Sequence, residues 1–226
     1  MNISISPISQ PASLADVVYD SLKELILTAE LDHNEKLDER TLAKQLGISR
    51  TPLREAIHKL VAEDFLRVEP RRGIFVNQKS KKEIVEILHV RAALEAMGAR
   101  LATAHVTEDD IARLRCIFAS FAPDTVEGQT DAFSVANVNF HEQVLELSRC
   151  SKLIEMASHI RDHTRMARIC TMRAGGRAHN ALIEHLQIIE ALEKHDPDLS
   201  ASRMREHILG LARHVEQTVG QFPWDK

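Results

Sequence analysis

The sequence predicts a mostly α-helical protein in two parts: an N-terminal winged helix-turn-helix, then a C-terminal antiparallel bundle built only of helices. Two observations carry this. Leu42-Ala-Lys-Gln-Leu-Gly-Ile48 runs directly into Ser49-Arg-Thr-Pro-Leu-Arg-Glu-Ala56, the end of one helix, a tight turn and the start of a second. Beyond Lys82, apolar residues recur at helical spacing with no alternating strand-like runs, and Gly and Pro mark the breaks.

In the first part, Met1 to Ala12 reads as a poorly ordered polar tail holding Pro7 and Pro11. A first helix is expected from Leu14 to Ala29, with Leu14, Val17, Val18, Leu22, Leu25 and Ile26 on one apolar face. Asp38 should cap a second helix over Glu39 to Leu46, and Gly47 suits a turn that needs positive φ. Ser49 can N-cap the third helix, where Pro52 fits the first turn without losing a hydrogen bond. Arg50, Thr51 and Arg54 then stand at the helix N-terminus, the end that a recognition helix presents to DNA. Arg67-Val-Glu69 and Ile74-Phe-Val76 read as two short strands around Pro70-Arg-Arg-Gly73. Placed after a recognition helix, this hairpin is a wing whose Arg71 and Arg72 suit phosphates or the minor groove.

The winged part is expected over residues 13–78, a linker over 79–82 and the bundle over 83–221. The six bundle helices are Lys82 to Ala104, Thr107 to Phe121, Gln129 to Leu147, Lys152 to Met172, Arg177 to His195 and Leu199 to Val219. Thr107 followed by Glu108, Asp109 and Asp110 is an N-cap with carboxylates placed for the helix dipole.

Composition narrows the class. The 226 residues are 44% hydrophobic, with three widely spaced cysteines and no apolar run of membrane-spanning length. The polar N-terminus lacks the basic and apolar regions expected of a secretory signal. Cys116, Cys150 and Cys170 read as reduced, mostly buried thiols, so a cytoplasmic protein without membrane attachment is expected. The formal net charge of −4 is unusual for a DNA binder. Its distribution matters more, because Ser49 to Lys79 hold seven basic residues against four acidic ones. Such a weakly charged reader favours a dimer on a specific site over tight nonspecific binding.

In the bundle, polar residues interrupt apolar stripes. Val138, His141, Val144 and Leu145 share one face, with Asn137 four residues before His141 and pointing the same way. Leu182, His185, Ile189 and Leu192 form a second stripe, and Met204, His207, Leu211 and Val215 a third. Imidazole suits zinc, nickel, copper or iron, and three such ligands leave positions open for water or an anion. Taken singly, each histidine is more often a hydrogen-bonded core residue than a ligand, and one sequence does not show that the three converge. Arg91 lies with Ile84, Leu88, Leu94 and Leu101 on the inward face of the first bundle helix. A buried guanidinium needs a partner, either Glu95 at i+4 or a bound carboxylate.

These motifs together resemble the GntR family of bacterial transcription regulators, over nearly the whole chain. The helical half resembles the effector domain of the FadR subfamily, through Arg91-Ala-Ala-Leu-Glu95, Asn137-Val-Asn-Phe-His141, Glu184-His185 and Met204-Arg-Glu-His207. The six-helix count is similar to the VanR-type branch. The resemblance implies a repressor that binds a palindromic double-stranded DNA operator as a homodimer and is released by a small carboxylic-acid metabolite. It implies Asn137, His141, His185 and His207 as ligands of a divalent metal, zinc or nickel, with Arg91 at the effector. Position 137 is Asn where Asp is commoner, which keeps an oxygen donor and loses a negative charge. For DNA it implies Arg40, Ser49, Arg50 and Arg54, with Arg72 and Gly73 at the wing tip. A metal-dependent enzyme is the rival reading, disfavoured because no general base stands near the histidines. A ligand-insensitive architectural DNA-binding protein is a third, which would leave the inward histidines and Arg91 without a purpose.

Overall fold

A computed structural model describes residues 13–27, 36–77, 79–174 and 177–217, and of 166–174 the backbone only. The chain divides into two compact units, residues 1–78 and 79–226.

The first unit contains helices α1 (Leu14–Leu27), α2 (Glu39–Leu46) and α3 (Arg50–Ala62). Strands β1 (Lys36–Leu37), β2 (Leu66–Glu69) and β3 (Gly73–Val76) form an antiparallel sheet in the order β1-β3-β2. Val18, Leu22 and Ile26 of α1 join Leu53, Ile57 and Leu60 of α3 in one core. Leu14 and Val17 are not part of it; both are exposed, because the buried face of α1 runs through Ala15, Val18 and Leu22. The expected last turn of α1, at residues 28–29, lies outside the described residues. Asp38 caps α2 by accepting a hydrogen bond from the Arg40 backbone N–H, and Gly47 ends the helix at φ 66°. Ser49 occupies the N-cap of α3 but makes no capping hydrogen bond, so its hydroxyl is not committed to the helix. Strand β1 was not expected, being too short to show alternation; it pairs Lys36 with Phe75 and Leu37 with Ile74. It also explains Gly73, which lies at φ 134° and where a Cβ would come 2.5 Å from the Lys36 side chain.

The second unit contains α4 (Lys81–Ala102), α5 (Glu108–Ile117), a 3-10 turn at Val126–Gln129, α6 (Thr130–Leu147), α7 (Ser151–Ala174), α8 (Ala178–Glu193) and α9 (Pro197–Gln217). The linker is shorter than expected. Ser80 and Glu83 form a reciprocal capping box, so Lys81 and Lys82 belong to α4. Thr107 and Asp110 start α5 in the same way, and α5 ends four residues before Phe121. Helix α4 packs along α9 and against α6 and α7. Its buried face runs through Ile84, Leu88, Arg91, Ala92, Glu95 and Ala99, whereas Leu94 is half-buried and Leu101 exposed. The cysteines are also more open than expected: Cys116 is exposed and Cys150 half-buried, while the Cys170 side chain is outside the described residues. Among the described residues, no helix is long and apolar enough to cross a membrane.

Candidate functional site

Helices α6, α8 and α9 bring Asn137, His141, His185 and His207 into the interior of the bundle, where all four are buried. The Nε2 atoms of His141 and His207 lie 3.2 Å apart. Two donors on one tetrahedral zinc ion at about 2.0–2.1 Å sit roughly 3.4 Å apart, so this separation suits a shared ion. The donor atoms of all three histidines lie within 4.8 Å of one another.

Two of the rings are held from behind. His141 Nδ1 donates to Glu95 Oε2 at 2.5 Å, and the other oxygen of Glu95 accepts from Arg91 Nε at 2.6 Å. His207 Nδ1 donates to Glu184 Oε2 at 2.7 Å, while Arg177 donates to both oxygens of Glu184 at 3.0 and 2.6 Å. Arg177 also donates to the His207 carbonyl at 2.9 Å. Each arrangement is an Arg–Glu–His relay, and each fixes the tautomer that turns Nε2 towards the other. His185 has no relay. Its ring stacks on Phe118 at 4.8 Å and lies 4.7 Å from Phe140, with both nitrogens buried and unpartnered. An orphaned buried imidazole is costly, and an ion would satisfy one of its two nitrogens.

Burial pushes the histidines towards the neutral, ligand-competent form. It lowers His141 to about 3, although Glu95 pulls the other way. It lowers His185 well below the usual imidazole range and also lowers His207. Burial alone would raise Glu95, but Arg91 and His141 together outweigh it and keep the carboxylate ionised. Glu184 is held down against its own burial by His207 and Arg177.

Arg91 thus has Glu95 as its main partner, with Thr164 Oγ1 at a marginal 3.5 Å from Nη1. Its Nη2 is buried without a partner. A cavity of about 20 Å³ is lined by Arg91, Asn137, His141, Arg177 and His207, among others. That is room for one ion or one water molecule. Glu184 and Arg177 were missed in the sequence because Glu184 neighbours His185 and so points off its stripe. Their seven-residue separation, two helical turns, was the available signal. Gly210 leaves room for the relay, since a Cβ there would come 3.1 Å from Arg177 Nη2, closer than ordinary contact.

In the winged unit, Arg40, Ser49, Arg50, Thr51 and Arg54 are all exposed. Arg54 Nε is 2.6 Å from Glu39 Oε2, so this ion pair must be exchanged or shared if the guanidinium is to reach DNA. Arg72 is exposed at the wing, ion-paired with Glu69, beside the half-buried Gly73. Arg71, at φ 64°, completes the turn and is exposed as well. Arg54, His58, Arg71 and Arg72 line a groove of about 530 Å³ between α3 and the wing.

Residues 14–76 match the family described as bacterial regulatory proteins of the gntR family, and residues 86–210 match the FCD domain. The chain belongs to the GntR family. This GntR protein carries an FCD effector domain and is similar along most of its length to known regulators. It is 26% identical to the uncharacterized HTH-type transcriptional regulator YdhC of Bacillus subtilis, covering 89% of this chain and 90% of that protein. It is 24% identical to the HTH-type transcriptional repressor RspR of Escherichia coli, covering 88% of each. The structure of E. coli McbR/YncC superposes with a TM-score of 0.74 at 25% identity, covering 92% of this chain and 99% of that one. The relatives are DNA-binding transcription regulators, and this chain is a regulator rather than an enzyme.

Proposed function

We propose that this GntR regulator is a cytoplasmic repressor that binds a palindromic operator as a homodimer and releases it when a small carboxylic acid enters a metal-containing pocket. The observation that carries the pocket is the pair of relay-held imidazoles with Nε2 atoms 3.2 Å apart, facing His185 with both nitrogens unpartnered. The metal, zinc or nickel, would be held by His141, His185 and His207 with the Asn137 amide oxygen as a weak fourth donor. When bound, such an ion supplies a Lewis-acidic centre with positions open to an anionic ligand. The unpartnered Nη2 of Arg91 supports a carboxylate partner for that residue.

A cavity of about 20 Å³ does not admit an organic acid beside an ion, so an acid enters only if the lining moves. That requirement is what makes the pocket suited to a switch. An effector shifts the regulator only by its differential affinity for the two states, and a hundredfold loss of operator affinity needs about 2.7 kcal/mol of coupling. The dimer is supported by Val90, Met97 and Leu101, which are exposed at helical spacing along α4. The DNA contacts are assigned to Arg40, Ser49, Arg50, Thr51 and Arg54, with Arg72 and Gly73 at the wing. The reading is tested by titrating zinc-loaded protein onto the DNA upstream of its own gene, then adding a panel of metabolic acids. Release by one acid, lost in His141→Ala, is the expected result; binding that ignores both chelator and every acid points to the ligand-insensitive alternative.

A further inference from the structure

Charge balance at the histidine cluster leads beyond a metal pocket as such. The carboxylates in contact with the three rings, among the described residues, are Glu95 and Glu184. Each is matched by its own guanidinium, Arg91 and Arg177. Each relay is therefore neutral, and the side chain that α6 adds beside His141 in the cavity lining is the uncharged amide of Asn137. The stretch from His163 to Gly176 could not add a negative charge in any conformation, because it contains three arginines and no Asp or Glu. A divalent ion held by these residues would receive no net negative charge from them, so an anion beside it, the hydroxide of a deprotonated water or an acid, would have to carry the compensation.

We propose that Asn137 makes metal binding in this protein dependent on an anionic co-ligand, so that ion and acid bind together and neither binds well alone. The inference rests on the metal reading above and concerns its regulation. Its chemical consequence is a preference for acids with two negative charges over those with one, since a dianion neutralises the ion completely. Its regulatory consequence is an AND gate: the operator responds to the acid only when metal is available, and metal occupancy follows the acid. Linkage requires the two enhancements to be equal. An Asp at position 137 would supply part of the missing charge and weaken the dependence.

The test measures zinc affinity of the full-length, metal-free protein by competition with a chromophoric chelator, at fixed pH. It is run with zinc alone, with zinc plus acetate, and with zinc plus malonate. Acids that complex free zinc lower the apparent affinity, so any gain arises on the protein. Wild type should bind zinc roughly ten- to a hundredfold more tightly with malonate, with acetate between. Asn137→Asp should bind zinc alone more tightly than wild type and gain less from malonate. If wild-type affinity depends on His141 and His185 but is the same with and without either acid, the gate is wrong and the metal site stands. If loss of either histidine leaves zinc affinity unchanged, the metal site itself is wrong. Equal malonate gains in wild type and Asn137→Asp would overturn the role given to Asn137.

Discussion

His185 shows how a single side chain can be poor for stability and useful for binding. It sits among Phe118, Phe133 and Phe140 with two unsatisfied nitrogens, where a phenyl ring would pack without polar cost. In chelator, His185→Phe should be at least as stable as wild type, by about 1–3 kcal/mol in urea unfolding, while losing the response to zinc. A destabilised variant would mean that the ring nitrogens have partners in solution. The pH dependence has a definite sign. His141, His185 and His207 all have depressed pKa values in the folded chain, so below the ordinary 6.5 the unfolded state takes up protons that the folded state refuses. Stability of the metal-free protein should therefore fall as pH drops from about 6.5, with a further loss below the ordinary carboxylate value of 4.5, where Glu95 resists protonation. Flat urea midpoints between pH 7 and pH 5 would contradict this. Arg91 cannot simply be deleted. Arg91→Ala strands the buried Glu95 charge and should cost about 3–5 kcal/mol, whereas Arg91→Met with Glu95→Gln should cost clearly less. Equal losses in denaturant titrations would show that the pair is not coupled.

At the level of elements, the recognition helix and wing carry their own restraint. Glu39 on α2 holds Arg54, and Glu69 on β2 holds Arg72, so two of the cations proposed to meet DNA are partly neutralised before contact. This fits a reader that relies on specific contacts rather than on net attraction. Arg54→Ala should weaken operator binding by about 1–3 kcal/mol and relax specificity at one position, as a lost bidentate base contact would. Arg72→Ala should instead flatten the log affinity against log salt plot by about one unit. Mobility-shift titrations at several salt concentrations separate the two, and an unchanged slope for Arg72→Ala would place the wing away from phosphate.

At the scale of the whole molecule, each unit has hydrophobic packing of its own among the described residues, the first within 1–78 and the second within 79–226. The candidate metal ligands all belong to the second. Zinc should accordingly raise the calorimetric transition of the bundle and leave that of the winged unit where it is. At a hundredfold excess over Kd the gain is about 2.7 kcal/mol. A transition of the winged unit that moves with zinc by the same amount would show that the cores unfold as one.

The sequence by itself determined the winged reader, the helical half and the histidines that face inward. Helix caps, turn glycines and apolar periodicity are local signals, legible over a few residues such as Asp38, Gly47 and Thr107. Helical phase was less sharply legible. Apolar spacing puts Leu14, Val17 and Leu101 on buried faces, and their exposure reflects how each helix is rotated against its neighbours. Two-residue β1 was invisible because its pairing with β3 is not encoded by any run of its own. Only the tertiary structure decided that His141, His185 and His207 converge, since they come from three helices. Only it decided that Arg91 meets Glu95, and that Arg177 and Glu184 complete the matching relay behind His207. Periodicity tells which side of a helix is inward, but partners across a core depend on distance in space, which no spacing along the chain contains.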